Sequence, residues 1–286
     1  MPTRCAPEVF AGLPCHRLEL PGGDRVLVAE HGAHVLSWQA GGVERLYLSP
    51  RAVLDGRAPI RAGVPVCWPQ FSDRGPLPKH GFVRTRRWSA GRAELGEDDA
   101  RLRLTLASDE STRALWPHEF QLELAVHLQP ALLRVTLGVR NAGPAALSFT
   151  GALHTYLAVG DVATASVHGL EGRPVWDALT GDRGTIDKPL RFSGEFDRVV
   201  GAPAAPMQLR DGARALQVRQ GGGWCDTVVW NPAAAKNATL ADMPPDGWRS
   251  MLCIEAACVF EPVELAAGAH WQAWQELEVE PANDAG

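Results

Sequence analysis

The residue types most able to do chemistry begin with a glutamate inside an apolar run. Glu255 lies in residues 251–260, where its neighbours on both sides are apolar. Burying a carboxylate costs on the order of several kcal/mol unless the group is paired or faces a pocket. The run therefore has two interpretations: a buried structural pair, or an acid–base group whose pKa is raised by partial desolvation.

A histidine stands in a second unusual segment. His154 lies in residues 150–156, where most of the neighbours are small or apolar. Histidine is the side chain that exchanges protons near neutral pH, so it suits a proton donor that works beside a carboxylate base. Most isolated histidines are structural or simply exposed, and the pattern alone does not decide between these roles for His154.

Residues 57–87 form a basic segment that does not alternate like the rest of the chain. The segment holds seven Lys or Arg residues against one acid, a balance of +6 in a chain of formal charge −5. Its prolines and interleaved aromatic residues indicate an ordered loop. An ordered loop with this charge predicts an anion site, and the alternative is a solvated basic face. The cations are Arg57, Arg61, Arg74, Lys79, Arg84, Arg86 and Arg87.

The overall composition argues against several classes of protein. With 45% hydrophobic and 21% charged residues among 286, the chain has the balance of a folded globular protein. Its acidic net charge argues against a nucleic-acid partner, and no apolar run reaches the roughly 18 residues of a membrane span. The six cysteines form no Cys-x-x-Cys pair, and residues 1–14 lack the pattern of a signal peptide, so we expect reduced thiols and a cytoplasmic location.

Alternation of apolar with polar or small residues is the dominant pattern, and it predicts β-strands. It is clearest in residues 102–106, 122–128 and 133–139. Helical signals are confined to residues 109–115 and 233–241. Many short strands separated by Gly, Pro and Asn turns predict an all-β fold, a large antiparallel β-sandwich with few short helices. The pattern continues without a break, so we predict a single domain over the whole chain, residues 1–286.

Six blocks of the sequence carry a family resemblance: RAGVPVCWPQF (61–71), LPKHGFVR (77–84), ALHTY (152–156), FDRV (196–199), VWNP (229–232) and LCIEA (252–256). In this order they resemble the glucose-6-phosphate 1-epimerases of the aldose 1-epimerase superfamily. Several ordered blocks are far more specific than one, and the resemblance covers nearly the whole chain. It implies the galactose mutarotase-like supersandwich form of the β-sandwich. One residue departs from the family pattern, because Lys79 stands where the family usually has Gln.

Mutarotation, the reaction that the resemblance implies, interconverts the α and β anomers of a sugar by opening and reclosing its ring. A base takes the proton of the C1 hydroxyl while an acid protonates the ring oxygen. The resemblance implies that Glu255 is the base and His154 the acid. It also implies the substrate-binding residues: His80 as a second donor to the sugar, Asp197 as an acceptor for its hydroxyls, Arg61 and Arg84 as ligands of the 6-phosphate, and Lys79 beside them.

We therefore predict a cytoplasmic, monomeric isomerase that acts on hexose 6-phosphates, chiefly glucose 6-phosphate, and binds neither nucleic acid nor membrane. No cofactor or metal is predicted, because the sequence holds no His-x-x-x-His pair and the glycines at 221–223 lack the spacing of a nucleotide-binding loop. One alternative is an aldose 1-epimerase of unphosphorylated sugars, against which the basic segment argues. Another is a non-catalytic carbohydrate-binding protein of the same fold, against which the joint presence of His80, His154 and Glu255 argues.

Overall fold

The computed structural model describes residues 1–212 and 214–280 and shows the predicted all-β fold. Its strands form three antiparallel sheets, which we call the N-terminal sheet, the back sheet and the site sheet. Antiparallel pairing suits a chain of short strands, because neighbouring strands need only a short connection. The N-terminal sheet contains, in spatial order, β1 (Arg4–Phe10), β2 (Leu13–Glu19), β3 (Arg25–Ala29), β4 (His34–Ala40) and β5 (Val43–Glu44).

The back sheet has ten strands. They are, in spatial order, β17 (Leu190–Arg191), β14 (Ser166–His168), β19 (Met207–Asp211), β20 (Arg214–Gly221), β23 (His270–Val279), β11 (Leu132–Asn141), β10 (Phe120–Gln129), β9 (Ala100–Ala107) and β7 (Ser89–Ala90), with β8 (Glu94–Leu95) also paired with β9. The alternation predicted for β9, β10 and β11 is confirmed. In β10, for example, Leu122, Leu124 and Val126 are buried and the residues between them are more exposed.

The site sheet has eight strands and carries the candidate site. They are, in spatial order, β16 (Arg183–Thr185), β15 (Pro174–Asp177), β18 (Phe196–Gly201), β21 (Asp226–Asn231), β22 (Met251–Leu265), β12 (Leu147–Leu153) and β6 (Val66–Cys67), with β13 (Tyr156–Ala158) also paired with β22. The main core lies between this sheet and the back sheet. Leu124 of β10 and Ile254 of β22 belong to that buried cluster, and the N-terminal sheet adds Trp38 to it.

Residues 251–259 of β22 are buried on both faces of the strand, and this explains their almost continuous apolar sequence. One set of alternate residues, including Ile254 and Cys258, faces the core between the sheets. The other set, including Glu255 and Val259, lines a cleft on the opposite face. A strand covered on both sides does not alternate in hydrophobicity, so only the charge of Glu255 marks the second face in the sequence.

Helices are few and short, as predicted. The first, α1 (Glu110–Leu115), begins after Asp109, whose carboxylate accepts the Thr112 N–H at 2.8 Å. The second, α2 (Ala233–Asn237), is shorter than the predicted segment 233–241. No helix in residues 1–212 and 214–280 has the length and apolar character needed to cross a membrane. The single domain over residues 1–286 stays a prediction, and residues 281–286 lie outside the described part.

Candidate active site

A cleft of about 530 Å³ opens on the face of the site sheet that points away from the core. All the site residues proposed from the sequence line this cleft: Arg61, Lys79, His80, Arg84, His154, Asp197 and Glu255. A groove of similar size, about 500 Å³, lies against the back sheet and contains none of them. The fold therefore brings together residues from a loop and from the site sheet that are far apart in the sequence.

The acid–base candidates lie opposite each other on neighbouring strands. From Gly151 onward, β12 and β13 pair with β22 in the same register, with Leu153 opposite Ala256 and Tyr156 opposite Cys253. The short break between them places His154 directly across from Glu255. The His154 Nε2 atom is 3.4 Å from a Glu255 carboxylate oxygen, and both side chains are at least nine-tenths buried.

The environment of this pair moves the proton toward the carboxyl group. Burial lowers the pKa of His154 well below its usual value, and His80, Arg84 and Arg61 add to this effect. Burial, followed by the charge of Asp197, raises the pKa of Glu255 well above its usual value. Both shifts favour the arrangement in which the proton of the pair is on Glu255 and His154 is neutral. The direction for Glu255 agrees with the rise in pKa expected from its apolar neighbours, whereas the lowered pKa of His154 differs from that of a histidine titrating near neutrality. The roles of Glu255 as base and His154 as acid stay predictions.

Each partner also keeps one atom available. Within the described residues, His154 Nδ1 and the second Glu255 carboxylate oxygen, Oε2, have no hydrogen-bond partner although both atoms are buried. Such atoms are costly in a protein interior unless a ligand engages them. Their position beside a cleft indicates a site built to receive a polar molecule.

His80 is held as a neutral donor by the backbone of its own loop. The Ser72 N–H donates to His80 Nδ1 at 3.2 Å, so the ring proton of the neutral imidazole is on Nε2. Burial, followed by the nearby cations Arg84, Lys79 and Arg61, lowers the pKa of His80 to about 3. Its ring centroid lies 5.4 Å from that of His154. A neutral Nε2–H donor next to the acid–base pair suits a hydrogen bond to a sugar oxygen.

Arg61 is fixed by partners that the sequence analysis did not anticipate. Its Nε and Nη2 atoms both donate to the Asp242 carboxylate at 3.1 Å. Its Nη1 atom donates to the Tyr156 hydroxyl, also at 3.1 Å. The Tyr156 ring in turn stacks on His154, with centroids 4.8 Å apart and planes 8° from parallel. Asp242, Arg61 and Tyr156 thus form a chain of contacts that ends on the candidate acid, and part of the charge of Arg61 is already compensated.

Arg84 is the cation best placed to meet an anion. Its Nη2 atom donates to the Lys79 carbonyl at 2.7 Å, and no carboxylate among the described residues lies within 4 Å of it. Lys79 instead pairs with Asp73 at 3.2 Å, and both side chains are exposed, so this ion pair is weak. Arg74 also lines the cleft, packed over the Trp176 and Phe260 rings.

The remaining cations of residues 57–87 do not line the cleft. Arg87, for instance, pairs with Glu30 at 2.8 Å, and Arg86 donates to the Ser111 hydroxyl at 3.0 Å. The +6 balance of the segment is therefore divided between the cleft and an ordinary surface. Lys236, near the end of α2, adds a cation to the cleft that the sequence analysis missed.

Asp197 reaches the cleft from β18, where it pairs with Trp230 of β21. Burial, followed by the charge of Glu195, raises the pKa of Asp197 to about 6. The half-buried carboxylate makes no side-chain hydrogen bond to another described residue, which suits an acceptor for ligand hydroxyls. Trp176 and Trp230 form apolar walls on either side, a common arrangement in sugar sites.

An antiparallel β-sandwich with a buried histidine–glutamate pair in an open cleft has the parts of an acid–base carbohydrate enzyme. The chain belongs to the aldose 1-epimerase family, because the sequence profile of that family matches residues 14–278.

Individual relatives agree with this assignment. A protein of Cenchrus ciliaris named "putative glucose-6-phosphate 1-epimerase" is 32% identical over 270 residues, which cover 88% of this chain and 80% of the relative. A protein of Escherichia coli K12 with the same name is 33% identical, covering 82% of this chain and 79% of its own. The crystal structure of a "putative mutarotase" from Salmonella typhimurium superposes with a TM-score of 0.89 at 29% identity, covering 96% of this chain and 93% of that one.

Proposed function

We propose that this protein interconverts the α and β anomers of hexose 6-phosphates, chiefly glucose 6-phosphate. The observation that carries the proposal is the buried His154–Glu255 pair, placed in register in a cleft whose rim holds Arg84. The pair supplies the two proton transfers that ring opening needs. The rim supplies a cation for the 6-phosphate, since guanidinium groups bind phosphate oxygens well. The names of the relatives point to the same substrate.

The reaction begins from the His154–Glu255 pair and the proton that these two residues share. As the C1–O5 bond breaks, the C1 hydroxyl gives its proton to Glu255, and His154 gives a proton to the ring oxygen. Rotation about the C1–C2 bond turns the aldehyde over, and the reverse transfers close the ring with the opposite configuration at C1. This sequence needs an ionised Glu255 and a protonated His154. The resting pair has the same proton count, so a transfer across the 3.4 Å gap between them prepares it without exchange with solvent.

The phosphate of the substrate assists that transfer. After burial and His80, the charges of Arg84 and Arg61 contribute to lowering the pKa of His154. A phosphate dianion beside these arginines compensates their charge, and the pKa of His154 then rises. The phosphorylated sugar therefore improves its own turnover as well as its binding. His80 and Asp197 orient the sugar by donating to one of its oxygens and accepting from its hydroxyls.

The test is the rate of anomer exchange, read by NMR magnetisation transfer between the two C1 proton signals. We expect added protein to accelerate the exchange of glucose 6-phosphate far more than that of glucose. Equal acceleration of both sugars would identify an epimerase of unphosphorylated aldoses. Binding of sugar without acceleration would identify a non-catalytic carbohydrate-binding protein.

The proposal also covers the oligomeric state, the cellular location and the partners of the enzyme. We infer a monomer in the cytoplasm with a small sugar phosphate as its partner, and neither nucleic acid nor membrane. All six cysteines lie in the described part and are free thiols there, which supports a reducing compartment.

A further inference from the structure

A thiol lies beside the acid–base pair and has no part in the proposed reaction. Cys253 precedes Glu255 by two residues on β22, so the two side chains share the cleft-facing side of the strand. One ligand-capable atom each from His154, Cys253 and Glu255 lie within 4.8 Å of one another. All three residues are buried.

Two of these side chains also hold a polar atom without a partner. His154 Nδ1 and Glu255 Oε2 make no hydrogen bond within residues 1–212 and 214–280. Nine-tenths or more of each side chain is buried, so bulk water does not satisfy these atoms. Three residues with clustered ligand atoms, two of which also hold a buried polar atom without a partner, indicate a place for a ligand that bonds to all three.

We propose that His154, Cys253 and Glu255 bind a divalent transition-metal ion of the Zn²⁺ type when the cleft holds no sugar. Imidazole, thiolate and carboxylate are the donor set that Zn²⁺ takes, whereas Mg²⁺ and Ca²⁺ require oxygen ligands. Bonds of about 2.0–2.3 Å to one ion bring tetrahedral ligand atoms closer together than 4.8 Å. Side-chain rotations that move each ligand atom by about 1 Å are enough to close this gap.

The charge balance favours such an ion in a buried place. Binding releases the thiol proton of Cys253 and the carboxyl proton of Glu255 to solvent, so one dication replaces two protons. The loaded site therefore carries no added net charge, and the desolvation cost of an isolated ion is avoided. The sequence shows no metal motif because one ligand comes from another strand, and this is why no metal was predicted.

The ion would inhibit the enzyme rather than assist it, a consequence that rests on the proposed function. It engages both the candidate acid and the candidate base, so neither group can exchange a proton with the sugar. Zn²⁺ and glucose 6-phosphate then exclude each other, and inhibition is competitive. Cys253 is the ligand that distinguishes the metal site from the catalytic pair.

The experiment uses Co²⁺ as a spectroscopic probe in a Cys225→Ser parent. This parent removes an exposed thiol that lies beside Cys258 and could bind metal at the surface. We expect a thiolate-to-Co²⁺ charge-transfer band in the near ultraviolet, its loss on adding Zn²⁺, and no effect of Mg²⁺. Cys253→Ser and Cys253→Ala should each abolish the band. Cys67→Ser, which changes a buried thiol of β6 outside the cluster, should retain it.

Activity supplies a second readout. Metal-free Cys253→Ser should keep the parent's mutarotation rate within about twofold, and the Zn²⁺ concentration for half-inhibition should rise by about tenfold or more. No band in the parent, or a band that survives both changes at Cys253 in folded protein, would overturn the metal site. Because the band does not depend on turnover, a protein that lacks mutarotase activity but shows the band retains the metal site and loses only the proposed function.

Discussion

Replacing Arg84 by Ala separates phosphate recognition from the chemistry at C1. Arg84 is half-buried and without a carboxylate partner among the described residues, so its contact with phosphate is a charge-assisted hydrogen bond rather than a screened surface pair. Such contacts contribute about 1.5–3 kcal/mol. Since about 1.4 kcal/mol is a factor of ten, Arg84→Ala should lower kcat/KM for glucose 6-phosphate by roughly 10- to 150-fold. Any activity on glucose should hardly change.

The matched controls come from the same basic segment. Arg87→Ala removes a cation that pairs with Glu30 outside the cleft and should leave both sugars unaffected. Arg61→Ala should reduce activity on both sugars, because it also removes the hydrogen bond that holds Tyr156 against His154. Raised salt should depress turnover of the phosphorylated sugar more than that of glucose.

The assay is the ratio of kcat/KM for glucose 6-phosphate to that for glucose, measured by NMR anomer exchange in wild type and in each variant. We expect this ratio to fall in Arg84→Ala, to stay constant in Arg87→Ala and to change less in Arg61→Ala. An unchanged ratio in folded Arg84→Ala would show that this arginine does not hold the phosphate.

Three further changes test the site and the loop that carries it. Glu255→Gln should lower kcat by about 10²- to 10⁴-fold without loss of thermal stability, because burial raises the pKa of Glu255 and so favours its neutral form, which Gln resembles. Full activity in the folded variant would remove Glu255 from the mechanism. Asp197→Asn should raise the Tm above pH 6 and leave it unchanged below pH 4. The folded Asp197 has a pKa of about 6 against an ordinary 3.8, so the folded state binds more protons between these values and loses stability as the pH rises. Equal Tm shifts at both pH values would contradict this. Gly81→Ala should strongly lower the free energy of unfolding measured in urea, because its Cβ would lie 2.0 Å from the Trp68 carbonyl oxygen. Gly12→Ala is also at positive φ but has open space around it, so it should cost only about 1–2 kcal/mol. Equal losses in the two variants would refute the clash.

Local sequence patterns determined the fold class, because they report on strands with one face in the core and the other in water. β9, β10 and β11 alternate clearly, and each is found where the alternation predicts it. The start of α1 is equally local, since Asp109 caps it through an adjacent backbone N–H. These features depend on residues a few positions apart, so the sequence shows them without knowledge of the tertiary structure.

Segments governed by distant contacts were harder to predict. The helix predicted over 233–241 ends at Asn237, whose side-chain amide donates to the Pro244 and Pro245 carbonyls and folds the chain back. On β22 the alternation is hidden because both faces are covered. Nothing in the neighbouring sequence signals either arrangement.

The sequence blocks predicted the chemical groups of the site, and the tertiary structure decided how these groups lie relative to one another. The pairing of His154 with Glu255 depends on the register between strands, which fixes a cross-strand neighbour that spacing along the chain does not reveal. The partner of Arg61 is Asp242, in a connection distant in sequence, and this pairing leaves Arg84 as the freer cation. The directions of the two pKa shifts also follow from geometry, because burial raises the pKa of Glu255 and lowers that of His154. Residue type is local information, whereas register, burial and ion pairing are properties of the folded chain.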